Sequence, residues 1–484
     1  MKAEHKKLSV CMIVRDEASN LPAALWSVKR IADEVVVVDT GSIDDTPQVA
    51  ASLGARVLHD AWTDDFSAAR NVSIEAAEGE WILYLDADET VPPESEPKIL
   101  RAISGSADAY FVRIESGVDS SAGKLFVSFY PRLFRNLKGL AFEGRVHEQI
   151  FPSLERLGAR VDVSDIVIKH SGYAATADDM AAKGRRNAAM LEQGLAENPG
   201  DALALFHLGE ARSMLGEHEA AIACYEGALK TGKLPQIITG VIFQNLGGSL
   251  VKLGRYQDAL ANLKKALRLD PGLLTVHLVM ASALFGKREF DKAVEQILTY
   301  IAEAQADPKK AKLMLRHEPD IPVALVLLAK CRLAQGDVPK AEAHLNDALR
   351  ISPSNGDAHV LLGRIAFESL RFGEAAKHFE AALNAGAASS RLYFELAKTY
   401  VAAGFDDKAI ATIETGLAAS PTDVDLLRCL GVLKIRRKDL EGAIETYQLA
   451  LAVDPADAES RRRLAGLYHA LGRDAAACQL LTIS

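Results

Sequence analysis

The five cysteines of this 484-residue chain, Cys11, Cys224, Cys331, Cys429 and Cys478, are scattered, and none forms a C-x-x-C. That absence removes the usual zinc spacing and any disulfide framework, and it fits a reducing compartment. Long apolar runs are lacking too. No stretch approaches the roughly 18 apolar residues of a membrane span. The segment before Arg15 holds only about six apolar residues, short of a secretory leader. A basic excess is also missing: the net charge is −9, which argues against nucleic acid and anionic membrane surfaces as partners. What is present is 49% apolar residues, ample for packed cores, over a length that implies roughly two to four domains. A cytoplasmic protein is expected.

The chain has two textures. In the first 170 residues, strand-like runs at 8–14, 34–39, 55–61 and 81–87 alternate with helical stretches at 19–31, 44–54 and 66–79. EVVVVD (34–39) is mainly β-branched, and DDTPQVAASLG (44–54) carries Asp near its start and Gly at its end. Such alternation gives a mostly parallel sheet with helices on both faces. Longer strands follow at 109–116, 124–136 and 160–170, with an antiparallel pairing expected for the first two.

From about residue 200 the strand signals vanish and a period of 34 appears. Leu208-Gly209, Ala221, Tyr225 and Ala228 recur as Leu246-Gly247, Ala259, Leu263, Ala266 and Pro271. Further copies start at Met280-Ala281, Leu328-Ala329, Leu362-Gly363, Leu396-Ala397, Leu430-Gly431 and Leu464-Ala465, with an insert around 308–321. A small residue at the eighth position and Ala at the twentieth let two helices approach, and a large residue four further on fills the groove. The pattern resembles tetratricopeptide repeats over residues 202–484. That resemblance implies a right-handed α-solenoid whose concave face binds peptides and whose free surfaces leave a homodimer open. Residues 174–201 read as a helical linker or degenerate repeat, and 1–173 as the first domain.

In an open parallel sheet, ligands sit beyond the carboxyl ends of the strands. The first strand ends at Val14, Arg15, Asp16 and Glu17; the second at Asp39, with Asp44 and Asp45 following; the fourth at Asp86, Ala87, Asp88 and Glu89. So many acids in one crevice need compensation. A divalent cation shared with the phosphates of a nucleotide is the economical answer. In an extended D-x-D the first and third residues point the same way, so Asp86 and Asp88 can share the metal while Ala87 leaves room. Plainer readings exist: Arg15, Asp16 and Glu17 as surface caps, Asp44 or Asp45 as the start of a helix, Arg70 as a counter-ion for the acids.

LSVCMIVRDE, VVVVDTGSIDDT, FSAARN and WILYLDADE occur in this order. Together they resemble the inverting glycosyltransferases of family 2, over residues 8 to about 172. The resemblance implies a GT-A (Rossmann-like) mixed-sheet domain, so the whole chain is expected to be α/β plus all-α. It implies nucleotide-sugar contacts from Val14, Arg15, Glu17, Asp39, Asp45, Arg70, Asn71, Asp86 and Ala87, with Mn²⁺ or Mg²⁺ on Asp86 and Asp88. Thr40 stands where the family often has a second Asp.

Inverting transfer also needs a base. FYPRLFRNLKGLAFEGRVHEQI (129–150) holds the candidates. Glu148 is preferred, then Glu143. His147 or His170 is the candidate third metal ligand, and Arg132 and Arg135 are candidates to meet the diphosphate, which guanidinium groups match in pairs. Trp62 and Phe66 are expected to pack rather than stack on a base. "PRLFRN" and "GRVHE" resemble a bacterial branch that includes lipopolysaccharide-core glucosyltransferases and peptide S-glycosyltransferases. The expected function is therefore transfer of a sugar, from a UDP-hexose, to a peptide or protein acceptor presented by the repeats. A glycan acceptor or a decayed scaffold stands as the alternative. A nucleotidyltransferase would want a glycine-rich loop after strand one, and Val14-Arg15-Asp16-Glu17 is none.

Overall fold

The computed structural model describes residues 6–118, 124–146, 148–171, 177–232, 234–306 and 320–481. It divides into two compact units, Met1–Ala324 and Leu325–Ser484. The first begins with β1 (Leu8–Val14), α1 (Leu21–Val28), β2 (Glu34–Asp39), α2 (Thr46–Ser52), β3 (Arg56–His59), α3 (Phe66–Glu75) and β4 (Trp81–Tyr84). It continues through β5 (Glu89–Thr90), α4 (Glu96–Ala102), β6 (Ala109–Val118), β7 (Lys124–Arg135), α5 (Phe151–Arg156) and β8 (Val161–His170). All eight strands form one sheet in the order β3-β2-β1-β4-β7-β6-β8-β5.

The first four strands are parallel, as the alternation predicts. Successive side chains go to opposite faces. Val10, Met12 and Leu83 join one core cluster, while Cys11, Ile82 and Tyr84 join another on the other side. Burial on both faces is why these strands read as unbroken apolar runs. β7 runs antiparallel to β4 and β6, and β8 pairs with β6 in parallel. β5 closes the order by pairing with β8, opposing Glu89 to His170. Tyr84 and Glu89 are five residues apart, a reach of at most about 17 Å. Four flat strand spacings would need about 19 Å. The far half of the sheet therefore curls back, and this carries His170 to the carboxyl end of β4.

α6 (Ala177–Glu197) is a single helix packed on α7 (Ala202–Met214), which pairs with α8 (His218–Thr231). Helical pairs then continue to the end of the described residues, the last being Ala458–Ala470 with Asp474–Leu481. The small eighth position is explained by contact: a Cβ on Gly209 would lie 2.5 Å from the Tyr225 ring, and one on Gly363 2.6 Å from Phe379. Among the described residues no helix is long and apolar enough to cross a membrane.

Candidate active site

The loops after β1 and β2 are laced together. Asp16, at φ 55°, accepts from the Ile43 amide at 2.7 Å, and its own amide donates to Ser42 Oγ at 2.9 Å. The Glu17 amide donates to Thr46 Oγ1 at 2.8 Å. Val14 holds its neighbour strand through the Thr40 amide, 3.0 Å from the Val14 carbonyl. Asp39 ends β2 almost fully buried, accepting from the Ser42 amide with His59 Nδ1 3.3 Å away. Arg15 and Asp45 are exposed; Asp45 stands just before α2, and its side chain makes no cap hydrogen bond. Glu17 lies within the field of the strand-four acids. Burial first, then Asp88, Asp44 and Asp86, raise its carboxyl above the usual range.

The stretch after β4 is not extended. The Glu89 amide donates to the Asp86 carbonyl at 3.0 Å, closing a turn, and the Glu89 carboxylate accepts from the Asp86 amide at 2.9 Å. Ala87 turns into the core. The expectation that Asp86 and Asp88 face the same way rested on a strand geometry, and the turn removes that basis; the two carboxylates take different partners. Asp86 meets Arg70 at 2.7 Å and Arg132 at 3.3 Å. Glu89, 2% exposed, meets Arg132 at 2.8 Å. Asp88 meets His170 Nε2 at 2.9 Å. Two guanidinium groups and an imidazole thus compensate the acids. Tyr84 separates the cations, its ring 4.8 Å from the Arg70 guanidinium and 4.1 Å from that of Arg132.

These charges shift one another. Burial works against ionised Asp86, yet Arg70 and Arg132 outweigh it and hold the carboxyl far below its usual range. Glu89 goes the other way: burial, with Asp86 close by, pushes it up to about 7 despite Arg132. Three acids, Asp86, Glu89 and Glu148, face two guanidinium groups, so the pocket carries one acid too many to ionise cheaply. Burial opposes a charged His170, but the Asp88 hydrogen bond and charge prevail and raise it.

Glu148 joins the cluster through Arg70 Nε, at 2.8 Å. Arg70 therefore bridges the preferred base and the first residue of the D-x-D. Asn71 does its work on the backbone. It donates to the Phe142 carbonyl at 3.1 Å and accepts from the Phe142 amide at 2.7 Å, pinning the segment that leads to Glu148. Glu143 is not brought in: it bridges to Gln149 along the backbone and pairs with Arg156 at 2.6 Å near the surface. Arg135 is not brought in either. It opposes Trp81, the start of β4, and sits 3.3 Å from Asp108. The antiparallel register explains this: Arg132 lies three positions before Arg135, so only Arg132 reaches the carboxyl end. Arg132 is buried by its ion pairs, but its Nε and Nη1 have no hydrogen-bond partner among the described residues. His147 lies outside those residues. Trp62 and Phe66 stack edge to face at 4.8 Å and pack beside α6.

Among the described residues no group of three or more His, Cys, Asp or Glu side chains is arranged to hold a metal ion. Asp86 is committed to its arginines. What fits a divalent ion is the smaller set of Asp88 and His170, one oxygen and one nitrogen donor. Such a pair leaves most of the coordination shell to phosphates and water, as is usual at nucleotide sites. Two contributors escape a reading of sequence. Ser116 Oγ lies 3.0 Å from His170 Nδ1 and orients the ring, because β6 and β8 pair these two residues in register. Tyr84 looks like any core aromatic until its two cations are seen.

Residues 9–153 match the family described as Glycosyl transferase family 2, and tetratricopeptide repeat patterns match from 201 to 457 in overlapping windows. A TPR repeat-containing protein of Synechococcus elongatus is 36% identical over 267 residues, 52% of this chain and 66% of that protein. The SPbeta prophage-derived glycosyltransferase SunS of Bacillus subtilis is 28% identical over 225 residues, 46% of this chain and 53% of that one. An uncharacterized glycosyltransferase of Rickettsia bellii is 39% identical over 94 residues, 19% of this chain and 32% of that one. The matched stretches thus span less than two thirds of each relative. Domain by domain, however, the matches agree with the sheet and the helical pairs: the chain joins a glycosyl transferase family 2 domain to tetratricopeptide repeats.

Proposed function

We propose that this protein is an inverting glycosyltransferase acting in the cytoplasm. It moves a sugar from a nucleotide donor, a UDP-hexose, to a peptide or protein acceptor presented by the repeats. One observation carries the reading. Arg70 ties Glu148 to Asp86 at the carboxyl end of β4, within the stretch that matches family 2, and the Asp88–His170 pair lies beside them.

The crevice beyond β1, β2 and β4 receives the donor. Asp39, a buried acceptor at a strand end, takes hydrogen bonds from the nucleoside. Arg132, at the carboxyl end of β4, is the guanidinium assigned to the diphosphate, which such groups match in pairs. Asp88 and His170 would hold the divalent ion, and the imidazole donor tilts the pair toward Mn²⁺ over Mg²⁺, whose shells are oxygen. When bound, that ion supplies positive charge beside the diphosphate. Glu148 takes the proton of the acceptor hydroxyl or thiol as that atom attacks the anomeric carbon. The bond to the diphosphate oxygen breaks on the opposite face, its electron pair leaving with the phosphate, and the configuration inverts. Arg70 keeps the Glu148 carboxylate aimed for this step. A glycan acceptor would use the same donor chemistry.

The test is hydrolysis of a panel of nucleotide sugars, with and without Mn²⁺ or Mg²⁺, by wild type, Asp88→Ala and Glu148→Gln. One donor should turn over slowly in wild type. Asp88→Ala should lose metal-dependent turnover. Glu148→Gln should lose roughly 10²–10⁴-fold in kcat, the usual worth of general-base catalysis, and still bind nucleotide. Wild type that neither turns over any donor nor binds nucleotide with metal would overturn the proposal.

A further inference from the structure

Residues 142–146 and 148–149 carry Glu148, and apart from one backbone bridge between Glu143 and Gln149 these described residues have no regular structure. Something must fix them. On one side stands α3. Besides the two Asn71 bonds to Phe142, Ser67 Oγ donates to the Gly144 carbonyl at 2.7 Å, and the Phe66 amide donates to the Arg145 carbonyl at 3.0 Å. The tethers from α3 to the backbone stop at residue 145; beyond it α3 meets the segment at Glu148 itself, through the Arg70 side chain at 2.8 Å.

On the other side stands α6. Val146, 4% exposed, packs with Ala188, Met190 and Leu191 of that helix. Arg145 Nη2 reaches Glu197 at 2.7 Å. A Cβ at Gly194 would fall 3.3 Å from Arg145 Cδ, so the helix surface there is cut to admit the arginine stem. Arg186 lies 5.9 Å from the Phe66 ring, which ties α6 to the start of α3 as well. α6 is itself held from behind. Leu208 and Ala211 of α7 share its cluster, and Arg212 of α7 pairs with Glu192 of α6.

We infer that α6 is a positioning helix of the active site. By clasping Arg145 and Val146 it sets where Glu148 stands against Arg70 and Asp86, and the α6–α7 pair is thereby part of the catalytic unit rather than a linker to it. The inference rests on the reading of Glu148 as the base. A carboxylate must sit within hydrogen-bond reach of the proton it takes, and a misplacement of about 1 Å can cost on the order of 10²-fold in rate.

The test uses full-length protein. Hydrogen exchange is read over peptides spanning 142–149, and kcat and KM for donor hydrolysis are measured on Val146→Ala, Val146→Ile, Glu197→Gln and the charge-swapped pair Arg145→Glu with Glu197→Arg. Val146→Ala should speed exchange in that segment and lower kcat about tenfold or more, with donor KM within about twofold. Val146→Ile should restore both. Glu197→Gln, a surface change that leaves the fold intact, should act in the same direction more weakly, and the swapped pair should recover what it loses. Unchanged exchange and kcat in both Val146→Ala and Glu197→Gln would overturn the inference. So would kcat and KM worsening together without rescue by isoleucine, the mark of a merely structural role. Should wild type hydrolyse no donor, the exchange result still decides the clasp, and the failure then belongs to the reading of Glu148.

Discussion

The sheet domain and the repeats solve burial in opposite ways. In the repeats, the interior is a relay of small against large. Where the eighth position is Gly, three of its four partners are aromatic rings: Gly209 with Tyr225, Gly363 with Phe379 and Gly431 with Tyr447, against Gly247 with Leu263. Where it is Ala, as at 281, 329 and 397, the residue sixteen further on is Ile297, Leu345 or Ile413. Volume is conserved pair by pair, and none of these pairs uses charge. In the sheet domain the corresponding depth holds Arg70, Arg132 and Glu89 at 6%, 7% and 2% exposure. Burying charge costs several kcal/mol per ion before pairing, roughly. Single buried acids occur elsewhere, Asp39 at the end of β2 and Glu395 and Asp457 in the repeats, but two buried arginines meet a buried glutamate at the end of β4, and that clustering marks the candidate site.

The comparison breaks most visibly at Arg132. Arg132→Met keeps the length of the side chain and leaves Glu89 and Asp86 short of a partner. Removing one member of a buried ion pair typically costs about 3–5 kcal/mol. In the repeats, Ile413→Val trims a fully buried side chain and should cost about 0.5–1.5 kcal/mol. Urea denaturation of both variants, followed by far-UV circular dichroism, checks the ratio. Equal costs would mean that Glu89 and Asp86 are compensated by more than Arg132.

A second, smaller effect is a pH slope that only the charged region should have. Glu89 binds its proton more tightly in the folded chain, near 7, than at its ordinary value of 4.5. A carboxyl raised on folding adds stability that is fully present below the unfolded value and is lost as pH rises through the folded one. Wild type should therefore lose on the order of 2–3 kcal/mol between about pH 4.5 and 7 relative to Glu89→Gln. Denaturation midpoints of the two proteins across that window give the difference directly. A flat difference would mean that Arg132 keeps Glu89 ionised throughout.

The same contrast explains what was legible in the sequence. The repeats could be read copy by copy, because a 34-residue period states the packing rule many times over. The parallel strands could be read because burial on both faces leaves apolar runs. Asp86 and Asp88 emerged as candidates from their strand end, and Arg70, Glu148 and His170 through the resemblance to family 2; the structure brings them together. What sequence could not give was direction. Asp86 and Asp88 part company because Glu89 closes a turn on Asp86. Arg132 and Arg135 part company because of the β7 register against β4. Ser116 has no local signature, since its role depends on a pairing with a residue 54 positions away. Each miss is a tertiary fact about a residue whose type was already in view.

The smallest prediction sharpens the packing side of the comparison. Gly363 and Gly248 both lie inside helices of the repeats. Ala is the better helix former by up to about 1 kcal/mol, so propensity alone favours both substitutions equally. The neighbours differ: a methyl on Gly363 meets the buried Phe379 ring at 2.6 Å, whereas one on Gly248 meets nothing within 4 Å. Overpacking costs roughly 1–3 kcal/mol, which outweighs the propensity gain at 363 and is absent at 248. Gly363→Ala should therefore lower the unfolding free energy by about 1–2 kcal/mol, and Gly248→Ala should raise it by up to about 1 kcal/mol. The double variant Gly363→Ala with Phe379→Leu should recover much of the loss, because it recreates the alanine–aliphatic pairing already used at Ala329 and Leu345. If thermal melts show no recovery, the aromatic ring is wanted for contacts beyond its glycine, and the small-against-large rule does not by itself explain the repeats.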